Sequence, residues 1–149
     1  MKKIIYTRHD GGLSVVHPVI NTVPERENIT EEQALERALK KLPADAINPQ
    51  VVDEIPTDRT FRNAWKAGVG AVEHDMAKCR EIHKDRLRVL RAPKLAAADV
   101  EFMKALEAGQ PTSQIVAYKQ ALRDVTADPA IEAAKSPEEL KAVLPSVLA

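Results

Sequence analysis

The chain has 149 residues, of which 44% are hydrophobic, 3% aromatic and 30% charged, and its 22 acidic residues balance its 22 basic ones. That length can bury a core without covalent staples, and the scarcity of aromatics means a core of Ala, Val, Ile and Leu. A formal net charge of zero supplies no global field to draw in nucleic acid or an anionic membrane, and Cys79, the only cysteine, excludes an intrachain disulfide and a cysteine-built zinc site.

The first elements read as a β-hairpin. Lys3-Ile4-Ile5-Tyr6-Thr7 is rich in β-branched residues, Leu13 to Val19 answers it, and Asp10-Gly11-Gly12 supplies residues that tolerate a tight turn. Pro18 has no N–H for a ladder, so the second strand ends there or lies on an edge. Thr30, with Gln33 three residues on, forms a capping-box pattern, and Ile29 and Ala34 sit at staple spacing. Ala34, Leu35, Ala38, Leu39 and Leu42 follow with helical period until Pro43 stops the run, and Glu36 and Lys40 form an i,i+4 pair. Val51 and Val52, then Ile55 before Pro56, predict a third strand, giving a ββαβ module over about Met1 to Pro56. The segment from Thr57 to Trp65 reads as a polar connector, and Gly68 and Gly70 loosen the backbone after it.

From Ala71 the periodicity predicts a long helix, with Val72, Met76, Cys79, His83, Leu87 and Leu90 on one stripe flanked by Ile82 and Val89. Pro93 either interrupts this helix or opens a new one at its first turn. Leu95, Ala98, Phe102, Ala105 and Leu106 make a second stripe ended by Gly109, and Ile115, Tyr118, Leu122 and Val125 make a third. Ala127 to Lys135 reads as loosely ordered, and Ser136-Pro137 opens a short last helix. The expected fold is α+β: a small ββαβ N-terminal module with its connector over residues 1–66, then an all-α helical hairpin or bundle over residues 67–149.

Motifs with bond-making chemistry are absent from this sequence. Gly11-Gly12 is a hairpin turn rather than a phosphate loop, Gly68-Val69-Gly70 lacks the residues that complete one, and there is no nucleophile elbow and no His-Glu-x-x-His. Asp75, Cys79 and His83, at i, i+4 and i+8, align on one helix face and could hold a metal. The preferred reading makes Cys79 a small hydrophobe of the apolar stripe, with His83 at its polar edge. No enzyme activity, no metal and no cofactor are therefore expected.

Lys78 to Lys94 holds seven basic residues against Glu81 and Asp85, and residues from Asp99 onward hold eight acids against five bases. Lys78, Arg80, Lys84, Arg86, Arg88, Arg91 and Lys94 wrap round the helix instead of sharing a face. No stacking aromatic or base-reading amide lies among them, so pairing within the chain is preferred to nucleic-acid binding. Arg59, Phe61, Arg62 and Trp65 have the composition of a protein–protein hot spot. The competing reading buries Phe61 and Trp65, and the two are compatible if the arginines project.

Three blocks carry a resemblance. They are Ile4-Ile5-Tyr6-Thr7 with Asp10-Gly11-Gly12 and Leu13-Ser14-Val15-Val16; Val51 to Trp65, with Asp58-Arg59-Thr60-Phe61-Arg62-Asn63-Ala64-Trp65 its most specific part; and Lys84-Asp85-Arg86-Leu87 with Tyr118-Lys119-Gln120-Ala121-Leu122-Arg123-Asp124-Val125. Together they resemble small phage and prophage tail-region proteins, in particular tail-fibre assembly and tail-assembly-chaperone-like proteins. The resemblance spans most of the chain at about half its positions. It departs at Leu144-Pro145, where the pattern often has Trp-Pro, and at Arg91-Ala92-Pro93-Lys94, where a Trp-Thr segment is common.

The resemblance implies no catalytic residues and a structural or chaperone-like role in binding a phage tail or tail-fibre protein. The candidate interface is Arg59, Phe61, Arg62, Trp65, Tyr118, Leu122 and Arg123, with self-association through a helix face as a further expectation. Two alternatives stay open: a phage-encoded inhibitor of a host defence complex, and a DNA-binding accessory protein using residues 78–94. Met1 to Tyr6 has no apolar run of signal-peptide length and no stretch is long enough to span a bilayer. Synthesis in the host cytoplasm is expected, with the virion tail as the destination of a structural part.

Overall fold

The computed structural model describes residues 1–20 and 29–149, and the chain divides into two compact units, Met1–Asp75 and Met76–Ala149. It is an α+β protein, with strands confined to the first unit and long helices to the second.

In the first unit β1 (Lys3–Thr7) pairs antiparallel with β2 (Leu13–Val16) and with β3 (Ile47–Val52), in the order β2-β1-β3. The β1–β2 turn is closed by Arg8 N–H donating to the Gly12 carbonyl at 2.8 Å and Gly12 N–H donating to Asp10 Oδ1 at 2.8 Å. Gly11 takes φ +79° at its tip, where a side chain would be strained. α1 (Glu31–Lys40) starts on the capping box expected of it: Gln33 N–H donates to Thr30 Oγ1 at 3.2 Å and Thr30 N–H to Gln33 Oε1 at 3.0 Å. β3 begins at Ile47, earlier than the expected Val51, and Ile55 lies outside it. Asn48, at φ +49°, and Pro49 sit where the β1–β3 register shifts, so the outer strand is irregular rather than a clean edge.

Directly opposed residues of an antiparallel pair share a face. Ile4, Val16 and Val51 therefore lie on one side of the sheet, and Ile5, Val15 and Gln50 on the other. The first side meets α1, since Val16 lines a common cleft with Ala34 and Ala38. The second meets a hairpin of β4 (Trp65–Ala67) and β5 (Val72–His74), since Gly70 N–H donates to Gln50 Oε1 at 3.1 Å. Two-sided cover explains why the adjacent residues Ile4 and Ile5 are both fully buried. This hairpin corrects the sequence reading: Gly68 and Gly70 shape its turn, Gly70 at φ +67°, and Val72 is a strand residue, not the start of a helix. Residues 67–75 accordingly belong to the first unit.

The second unit is built on α2 (Met76–Glu107), one helix of 32 residues that runs through Pro93 without ending. Pro93 is exposed, so its ring meets solvent rather than packed core, while the Val89 carbonyl loses its helical donor. Gln110 N–H donates to the Ala105 carbonyl and Gly109 N–H to the Leu106 carbonyl, with Gly109 at φ +63°, the pattern of a Schellman stop. α3 (Ser113–Asp124) folds back along α2. The Ala-rich stretch expected to be loose instead forms α4 (Pro129–Ala133), capped by Asp128 Oδ1 on Ala130 N–H at 2.9 Å and anchored by the fully buried Ile131. α5 (Pro137–Ala142) is capped by Ser136 as its sequence predicts.

Candidate functional site

The stripe of α2 that carries Cys79, His83 and Leu87 is buried over the first half of the helix. The chain after α3 covers it. Arg80 reaches across to donate to the carbonyls of Ile131 (3.2 Å), Glu132 (3.4 Å) and Ala134 (3.1 Å), satisfying acceptors at the end of α4 that its last turn leaves open. Lys84 bridges Glu81 and Glu132, both at 3.2 Å. Arg91 donates to the carbonyl of Arg123 at 2.7 Å, close to the C-terminus of α3. Arg80, Lys84 and Arg91 are thus tied to later segments of the same unit; Arg80 and Lys84 do so partly by the charge pairing preferred from the sequence, both reaching Glu132, whereas Arg91 bonds backbone carbonyls.

His83 is 4% exposed and its Nε2 lies 2.9 Å from the Val143 carbonyl. A carbonyl only accepts, so Nε2 carries the proton, and Nδ1 is buried without a hydrogen-bond partner. Burial holds the His83 pKa below its ordinary value, the nearby Arg86 charge adds to this, and the bond to Val143 opposes both. Cys79 is fully buried. Neither group offers a reactive atom at the surface. Among the described residues no group of three or more His, Cys, Asp or Glu is placed to hold a metal ion.

Beyond Leu87 the cover ends. α2 and α3 stay locked on one flank, where Lys119 Nζ is 2.6 Å from Asp99 Oδ1 and sits 4.9 Å above the Phe102 ring. On the other flank they part to form an open apolar cleft of about 390 Å3, lined by Lys94, Ala97, Ala98, Glu101, Ile115 and Tyr118. A separate apolar stripe runs along the outside of α2. Val89, Pro93, Ala96, Val100 and Met103 follow one another at alternating steps of four and three, which is the spacing of a coiled-coil seam. Val89, Val100 and Met103 are 72%, 53% and 55% exposed, and Pro93 and Ala96 are exposed as well.

The residues singled out from the sequence fall into two groups. Phe61, Trp65 and Leu122 are buried, so in the folded chain they serve packing and offer no contact to a partner. Trp65 Nε1–H donates to His74 Nε2 at 3.1 Å across β4 and β5, with the rings edge to face at 86°. Arg59, Arg62 and Arg123 are exposed and Tyr118 lies on the cleft. The sequence reading missed the outer stripe and the charged rim of Lys94 and Glu101. The signal was present as the 3,4 spacing from Val89 to Met103, and treating Pro93 as a break hid it. Comparison with protein-family models, with curated proteins and with solved structures finds no match.

Proposed function

We propose that this protein works by binding another protein through the outer stripe of α2, as a phage tail-associated structural or assembly protein of chaperone-like action. The observation that carries the binding reading is the stripe itself. A helix seam with Val100 and Met103 more than half exposed leaves apolar surface in water that a second helix would bury. The partner expected is an amphipathic helix presenting its own 3,4 apolar repeat. The tail assignment rests on the resemblance carried by residues 4–16, 51–65, 84–87 and 118–125, and it makes the partner a tail or tail-fibre component. Tying Arg80, Lys84 and Arg91 into the fold weighs against nucleic acid as the partner, because those cations are spent on carbonyls and Glu132.

Co-expression with the tail and tail-fibre proteins of the same genome tests the reading. A tail component should co-purify with the native chain and be lost from V100E/M103E, two surface changes that should leave the helix content, read by circular dichroism, intact. Failure of every tail component to co-purify, or capture indifferent to V100E/M103E, would overturn it.

A further inference from the structure

We infer that the cleft between α2 and α3 is the contact through which two copies of this chain pair, hairpin on hairpin, as a four-helix bundle about a two-fold axis. The face of α2 that is buried at Cys79, His83 and Leu87 continues at the same helical spacing through Lys94, Ala98 and Glu101. Arg80 and His83 hold the C-terminal segments over its first half. The second half is left as the cleft, floored by Ala98 and Ile115 and edged by Tyr118, which is 40% exposed. Two packed helices with an apolar groove between them are half of a four-helix bundle, and a second hairpin is the shape that closes it.

The charges select a second copy as the occupant. Lys94, Ala97, Ala98 and Glu101 share one face at i, i+3, i+4 and i+7. Lys94 stands three residues before Ala97, and Glu101 three after Ala98. A two-fold axis between Ala97 and Ala98, with the two α2 helices antiparallel, sets Lys94 of each copy against Glu101 of the other. One rotation makes two opposite-charge pairs, the self-complementarity that an isologous interface requires. Lys94 makes no ion pair among the described residues, and Glu101 pairs only with the exposed Lys104 on its own helix, at 3.0 Å. Alanines at the crossing let the helices approach closely. This surface is distinct from the outer stripe, so pairing and partner binding are separable.

Sedimentation velocity of the purified full chain over a hundredfold concentration range tests the inference. The native chain should form a dimer. K94E and E101K should each shift its dissociation constant at least tenfold towards monomer, because each puts two like charges across the axis. K94E/E101K, which restores opposite pairs, should recover the dimer. V100E/M103E should dimerise as the native chain does. A strictly monomeric native chain would overturn the inference, as would a dimer unmoved by the single changes or one that the double change fails to rescue.

Discussion

His83 donates from Nε2 to the carbonyl of Val143, and the two residues together fasten the C-terminal segment to the first half of the long helix. The ring is almost wholly buried and its other nitrogen has no partner. Protonating Nδ1 would therefore create a buried charge with a donor that finds no acceptor.

The pH dependence follows with a definite sign. Burial lowers the His83 pKa in the folded chain, so below the ordinary histidine value of 6.5 the unfolded chain takes up a proton that the folded chain resists. Stability from this residue is complete above that pH. It declines as the pH falls from there towards the folded pKa. Urea unfolding followed by circular dichroism between pH 7.5 and 5 should show the native chain weakening as the solution is acidified, and His83→Gln should flatten that dependence. At neutral pH His83→Ala should cost about 1–3 kcal/mol through the orphaned Val143 carbonyl and the space left behind.

Arg80 and Arg88 lie two turns apart on α2 and should differ sharply in their worth. Arg80→Met strands three carbonyls around the end of α4 and should cost about 1.5–3 kcal/mol. Among the described residues Arg88 pairs only with Asp85, on the exposed side of the helix, so Arg88→Met should cost less than about 1 kcal/mol. Equal costs in chemical denaturation would contradict the account of the C-terminal cover.

Leu122 is fully buried, so Leu122→Ala should behave as a core truncation, destabilising by about 2–5 kcal/mol. Val100→Ala, on exposed surface, should stay within about 0.5 kcal/mol of the native chain. Denaturation midpoints compared at constant slope separate the two.

In the first unit, Trp65→Phe keeps an aromatic ring but removes the donor to His74 Nε2, and about 1 kcal/mol of stability should go with it. Thr30→Ala should cost a similar amount by opening the capping box. Thermal unfolding of the two variants measures both.

Features written in short stretches of sequence were legible. The Thr30–Gln33 box, the Asp10-Gly11-Gly12 turn and the Gly109 stop each depend on a few neighbouring residues, and all three appear in the structure. The β4–β5 hairpin was not. Its strands are three residues each, too short for a period of two to show, and Val72 happens to lie four residues before Met76 in a run that continues as true helix. Pro93 was misread for a physical reason: a proline inside a helix ordinarily kinks or ends it, and here α2 runs on through it at an exposed position. The division of apolar residues into covered and uncovered stripes was the least accessible. Leu87 and Val89 look equally fit for a core, and only the return of the chain over α2 buries one and exposes the other. Arg80 and Arg91, read as part of a wrapped basic run, gained their roles from carbonyls far along the chain.

Hydrogen exchange on α2, measured for the chain alone and in complex with a co-purified tail component, bears most directly on the claim that this protein acts through apolar helix contact. Exchange between Val89 and Met103 should slow on complex formation, and should not slow in V100E/M103E. Unchanged exchange over that span in a stable complex, with protection appearing only elsewhere, would contradict it.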